Sequence, residues 1–174
     1  SRGSCTVGDL LKQADLAMYQ AKTGGRNTLR FYDPHMQAVV SARAELEADM
    51  RSALAQDEFL LHYQPQVRHD GQLVGVEALA RWRHPVRGLV PPSEFIPVAE
   101  ETGLILTLGR WVLHTACQML AQWQDEPQLR HLSMAVNVSS KQFRSASFVD
   151  DVGRVLAITG APAKRLKLEL TESV

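Results

Sequence analysis

The chain has 174 residues, 45% of them hydrophobic, enough to bury a substantial core in one domain or a domain with an appendage. Lys plus Arg and Asp plus Glu both number 19, so the formal net charge is zero and no broad basic field exists to recruit duplex DNA or an anionic membrane. The two cysteines, Cys5 and Cys117, lack metal-site spacing and point to a reduced, cytoplasmic compartment with no disulfide; no apolar run approaches the ~20 residues that cross a bilayer.

Residues 9 to 23 carry Leu10, Leu11, Ala14, Ala17, Met18 and Ala21 at helical spacing, with Gly24-Gly25 as a stop. Asp33-Pro34 marks a break, and Ser41 is the expected N-cap of a helix over 42–55 with Leu46, Met50 and Leu54 on its apolar side. Phe59 to Val67 alternates as a strand. The connection Arg68-His69-Asp70-Gly71-Gln72 contains Asp-Gly, so the first two strands are expected to form an antiparallel hairpin. Ser93 is the expected cap of a short helix reaching Glu101. Thr107 opens a longer one with Leu108, Val112, Ala116, Met119 and Trp123 as its stripe. A strand over 133–139, a helix over 147–159 ending at Gly160, and a strand over 165–171 complete a parallel α/β pattern of four strands.

Three strands carry polar residues inside apolar runs. On the second, a side-chain period of two puts Glu77, Leu79 and Arg81 on one face and Val76, Ala78, Ala80 and Trp82 on the other. Asn137 interrupts the run Ser133 to Ser139, and Glu169 interrupts Leu166 to Thr171. A strand covered by helices is apolar on both faces, so each polar group there costs several kcal/mol unless it has a partner. All three are read as lying late in their strands, the end where α/β barrels build sites. Two carboxylates and an amide oxygen form a hard, all-oxygen set suited to Mg²⁺ or Mn²⁺. For either glutamate taken alone, a salt bridge with Arg81 or Lys167 is the alternative.

These runs resemble the EAL domain, which cleaves cyclic di-GMP and is named after Glu77-Ala78-Leu79. The resemblance continues, in order, through Tyr63-Gln64-Pro65, Pro92-Ser93-Glu94-Phe95-Ile96-Pro97, Asn137-Val138-Ser139 and Glu169-Leu170-Thr171-Glu172. It covers residues 43–174, the length of the N-terminal half of such a domain, since a whole barrel of this type runs to about 250 residues. Upstream, Ala14 to Lys22 followed by Gly25-Arg26-Asn27 resembles the end of a GGDEF domain, which makes cyclic di-GMP, although the GGDEF loop itself is absent; a simple capped terminal helix is the alternative. The implied organisation is a GGDEF tail over 1–32, a linker over 33–42 and half an EAL domain over 43–174. The implied fold is a partial TIM-like (β/α) barrel with an antiparallel first strand.

The resemblance implies hydrolysis of cyclic di-GMP to linear pGpG, with Glu77, Asn137 and Glu169 as metal ligands for Mg²⁺ or Mn²⁺. Gln64, Leu79, Arg81 and Gln142 are assigned to the substrate, Arg81 to its phosphate; for Gln142, capping of its own loop is the alternative. Glu172 is assigned to the catalytic group as a brace for an active-site loop. Of the histidines, His84 fits a loop motif, His62 reads as a satisfied core residue, and His35, His69, His114 and His131 carry no ligand spacing. The resemblance further implies a homodimer through the EAL domain in the full protein, while the zero net charge argues against a DNA partner and the two cysteines for a cytoplasmic location. The start Ser1-Arg2-Gly3-Ser4 has neither a signal-peptide core nor an initiator Met, which leaves an upstream inner-membrane anchor open. Two other functions fit the same residues: an EAL domain that senses cyclic di-GMP without cleaving it, and a protein whose upstream GGDEF module makes the nucleotide. The family's further ligands, including an aspartate pair, are expected beyond Val174, so residues 1–174 alone are expected to be inactive.

Overall fold

The computed structural model describes residues 6–23 and 27–171, so Cys5, the Gly24-Gly25 stop, Arg26 and Glu172 lie outside the described residues. The chain divides into two compact units, Ser1–Ala48 and Asp49–Val174. In the first, helix α1 spans Val7–Thr23. Its start is a reciprocal cap. Thr6 N–H donates to Asp9 Oδ2 at 2.9 Å and Asp9 N–H donates to Thr6 Oγ1 at 3.2 Å, and these Thr6 bonds hold the Asp9 carboxyl below the usual range. Ala17 is buried, whereas Leu10, Leu11 and Met18 are exposed.

Helix α2 spans His35–Ala53, beginning well before the expected Ser41 cap. Asp33, not Ser41, caps it: its Oδ1 accepts from His35 N–H at 2.8 Å and its carbonyl from Met36 N–H at 2.8 Å. Pro34 then sits in the first turn, where a missing N–H costs nothing. Ser41 is in the helix interior, taking a bond from Gln37, and residues 35–42 of the expected linker are helical.

The second unit is an open five-stranded sheet. Strands β1 (Phe59–Val67) and β2 (Leu73–His84) form the expected antiparallel hairpin, with Gly71 at φ +79° in its turn. A short strand β3 (Gly88–Val90), not expected from the sequence, folds back on the end of β2. Strands β4 (Ser133–Ser139) and β5 (Leu166–Thr171) continue from β2 in parallel, giving the order β1-β2-β4-β5. Gly75 permits the close β2–β4 approach, since a Cβ there would meet the Oγ and carbonyl oxygen of Ser133.

Helices cover one face. Helix α3 spans Pro92–Thr102, α4 Ile105–Gln122, a one-turn α5 Ser140–Phe143, and α6 Phe148–Thr159. Ser93 is not the cap of α3: Pro91 holds that position with no side-chain bond, and the helix ends on Gly103 at φ +82°. α4 starts at Ile105 because Leu108 N–H already reaches the Leu104 carbonyl at 2.9 Å. Phe59 stacks on Trp82 with ring centroids 5.4 Å apart, and Phe95 meets both edge-on at 5.6 and 6.1 Å. The Pro92 to Pro97 motif thus owes its phenylalanine to the core. His84 is buried under the same cluster. Its Nδ1 accepts from the N–H groups of Val86 and Arg87, so its proton sits on Nε2, which donates to Asp49 Oδ2 at 3.1 Å. Among the described residues, no helix is long and apolar enough to cross a membrane.

Candidate functional site

The uncovered face of the sheet collects the polar residues, and strand register decides which of them meet. Glu77 pairs with Gln64 across the hairpin and with Ala135 on β4; Asn137, two residues further along β4, therefore shares its face. Asn137 pairs with Glu169 on β5. Leu79 stands opposite His62, and Arg81 opposite Leu60. One face thus carries Gln64, Glu77, Leu79, Arg81, Asn137 and Glu169. Glu77 is the fifth of twelve residues in β2 and not late in it, because β2 runs on past the parallel ladder to pair with β3. That ladder itself ends at Ala78, so Glu77 is late only in the parallel part.

Asn137 Nδ2 donates to Glu77 Oε1 at 2.6 Å, the contact that joins β2 to β4 at this level. Neither Arg81 nor Lys167 is the partner of Glu77 among the ion pairs of the described residues; the Arg81 guanidinium donates instead to the Ala80 carbonyl at 2.9 Å. Glu77 and Asn137 are half-buried, and Glu169 is exposed. The donor set fits a hard cation: a carboxylate and an amide are already in contact, and a second carboxylate is one strand away at the same height. Among the described residues no three His, Cys, Asp or Glu side chains cluster for a metal, so the amide of Asn137 is needed to complete a three-sided set.

Beside this group lies a cavity of about 440 Å³ between β2, the ends of β4 and β5, α3 and α4. Leu79, Arg81, Asn137 and Gln142 line it, whereas Gln64, Glu77 and Glu169 lie on the sheet face outside it. Pro92, Ser93, Pro97 and Thr171, none of them expected as site residues, also line it. For the first three, the signal is the Pro92 to Pro97 run itself. Gln142 is buried, its side-chain oxygen taken by Ser139 in a capping box. His62 is exposed on the open face and not a core residue, since its side of β1 is the one without helices. Cys117 is a buried free thiol, and burial pushes its pKa up to about 11, so it is unreactive near neutrality.

Residues 47–174 match the family model described as the EAL domain. The chain is 43% identical over 166 residues to the bifunctional diguanylate cyclase/cyclic di-GMP phosphodiesterase MucR of Pseudomonas aeruginosa, covering 95% of this chain and 24% of that protein. It is 38% identical over 164 residues to the cyclic di-GMP phosphodiesterase PdeR of Escherichia coli, covering 94% of this chain and 24% of that protein. It therefore spans about a quarter of the length of these relatives. Among solved structures, the PaMucR phosphodiesterase in complex with c-di-GMP is 44% identical with a TM-score of 0.71, covering 74% of this chain and 52% of the other. The FimX EAL domain of Xanthomonas citri in complex with c-diGMP is 28% identical with a TM-score of 0.66, covering 78% of this chain and 52% of the other. With the reversed first strand, the three in-register oxygen donors and a family match over most of its length, this chain belongs to the EAL domain family.

Proposed function

We propose that the protein carrying this chain hydrolyses cyclic di-GMP to linear pGpG, using Mg²⁺ or Mn²⁺ held by Glu77, Asn137 and Glu169. The observation that carries this reading is the Glu77–Asn137 contact at 2.6 Å with Glu169 in register on the next strand. In the reaction a water oxygen bonds to phosphorus, one phosphorus–oxygen ester bond breaks, and a proton ends on the departing hydroxyl. A divalent ion bound there would lower the pKa of a water and polarise the phosphoryl oxygens. The chain's own residues bind and orient. Arg81, at the cavity wall, offers a planar donor fork to a phosphate. Leu79, between Glu77 and Arg81 on the same face, gives an apolar wall for the nucleotide, and Gln64 stands across the hairpin from Glu77 as a further polar contact.

Glu172 belongs to this reading as the brace of an active-site loop. So does a homodimer through the EAL domain, in the cytoplasm where the messenger acts. Residues 1–32 are read as the tail of a GGDEF domain; support comes from the match to MucR, which spans 95% of the chain and so extends beyond the EAL region. The test is to incubate the purified full-length protein with cyclic di-GMP in Mn²⁺, in Mg²⁺ and in EDTA, and separate the products by chromatography. Linear pGpG in either metal and none in EDTA is expected. Tight binding with no product in either metal would replace the enzyme by a sensor.

A further inference from the structure

The end of β4, where Asn137 emerges, is held by a compact lock. Gln142 Oε1 accepts from the Ser139 N–H at 3.1 Å and from the Ser139 hydroxyl at 3.0 Å, and the Gln142 N–H donates to Ser139 Oγ at 3.2 Å. Both residues are buried, at 9% and 5% exposure, so these bonds do not exchange readily with water. On its other side the Gln142 carboxamide lies against Gly109 of α4: a Cβ at position 109 would overlap Nε2 and Cδ of Gln142. Lys141, the neighbouring residue, donates from Nζ to the Glu100 carbonyl at 2.7 Å, near the end of α3. Two helices therefore grip the turn that begins two residues after Asn137.

We propose that Gln142 and Gly109 are positioning residues: acting through Ser139, they hold Asn137 in its contact with Glu77, and Gln142 does not touch the substrate. The proposal rests on the reading of Glu77, Asn137 and Glu169 as a cation site. An amide is a neutral and weak ligand whose usefulness depends on its aim, so loosening the backbone behind it degrades the site without removing a ligand. Ser139 already occupies the side-chain oxygen twice, and the amide nitrogen, the atom a phosphate would need, lies against Gly109.

The experiment compares Gln142→Leu, Gln142→Glu and Gly109→Ala in the full-length protein. Mn²⁺ affinity is read by electron paramagnetic resonance, kcat and KM from cyclic di-GMP turnover, and protection of the Ser139 amide from hydrogen exchange. Gln142→Leu removes the acceptor, and is expected to weaken Mn²⁺ binding and lower kcat by about tenfold, the low end for partners of metal ligands, while KM changes less than about twofold. Gln142→Glu keeps an acceptor oxygen and should recover most of that loss together with Ser139 protection. Gly109→Ala, which displaces Gln142 and has no polar group to lose, should reproduce the leucine pattern. A raised KM with unchanged Mn²⁺ affinity, worst for the glutamate because the substrate is anionic, would make Gln142 a substrate contact and overturn the proposal. A leucine variant that matches wild type throughout would overturn it too, with the cation site intact. Wild-type protein that binds no Mn²⁺ would overturn both the proposal and the function it rests on, and that failure shows before any variant is made.

Discussion

Converting Asn137 to Asp exposes the chemistry of the cation site as a stability measurement. In the folded protein Asn137 Nδ2 donates to Glu77 Oε1 at 2.6 Å, a charge-assisted bond worth about 1.5–3 kcal/mol. Aspartate offers only oxygens, so the bond is lost and two carboxylates face each other. Their repulsion is on the order of 4 kcal/mol at 4 Å for an effective dielectric of 20, and partial exposure and outward rotation reduce it to a fraction of that. A net loss of about 3 kcal/mol in EDTA lowers Tm by about 6–12 °C for a domain of this size. A divalent cation reverses the preference, since it wants oxygen where Glu77 wanted N–H. Mn²⁺ at millimolar concentration should therefore raise the Tm of Asn137→Asp by more than that of wild type. Thermal unfolding by circular dichroism, with and without metal, reads both effects, and Asn137→Leu serves as a control that loses the bond without gaining a charge. An Asp variant with wild-type Tm in EDTA refutes the contact; one that is destabilised but gains nothing extra from Mn²⁺ refutes the cation site.

Arg81→Lys keeps the charge and loses the fork, so phosphate binding should weaken, seen as a KM raised about tenfold or more with Mn²⁺ affinity unchanged; an unaltered KM and kcat would remove Arg81 from the phosphate. Gly75→Ala forces a Cβ onto Ser133 and should cost about 1–3 kcal/mol in denaturant unfolding. Ser133→Gly should return only part of it, because the Ser133 carbonyl oxygen also stands 2.6 Å from that Cβ; full recovery would place the clash on the hydroxyl alone. The Cys117 thiol is raised by burial to about 11, so between about pH 9 and 11 the unfolded chain ionises and the folded one does not. Stability is then fully present below that window and falls across it by up to about 2 kcal/mol. Cys117→Ala should flatten this slope relative to wild type, and parallel slopes would contradict the burial argument.

The elements that local chemistry defines were the legible ones. The Phe59 to Val67 strand, the Asp-Gly hairpin and the strands over 133–139 and 165–171 follow from alternation and turn residues, and they recur in the structure with bounds within a residue. Helix starts were less legible. Ser41 and Ser93 are good caps in isolation, but Asp33-Pro34 and Pro91-Pro92 come earlier and fix the chain first. β3 is three residues long, too short for a periodic signal, and exists because β2 outlasts its parallel partner. The site divides the same way. That Glu77, Asn137 and Glu169 share a face follows from a period of two once the strands are parallel. The partner of Glu77 does not: Arg81 is nearer in sequence, whereas the ladder register brings Asn137, 60 residues away, into contact. Gln142 was ambiguous because a glutamine three residues after a serine reads equally as a cap or a reaching side chain, and only burial against Gly109 distinguishes them.

The most direct measurement is turnover of cyclic di-GMP by the full-length protein and its Glu77→Ala variant, side by side in Mn²⁺, with products separated by chromatography and folding of the variant checked by circular dichroism. The assignment of Glu77 to the metal predicts that wild type releases linear pGpG and that the folded variant, lacking that ligand and the acceptor for Asn137, releases none above background. A Glu77→Ala protein that cleaves at the wild-type rate would contradict it.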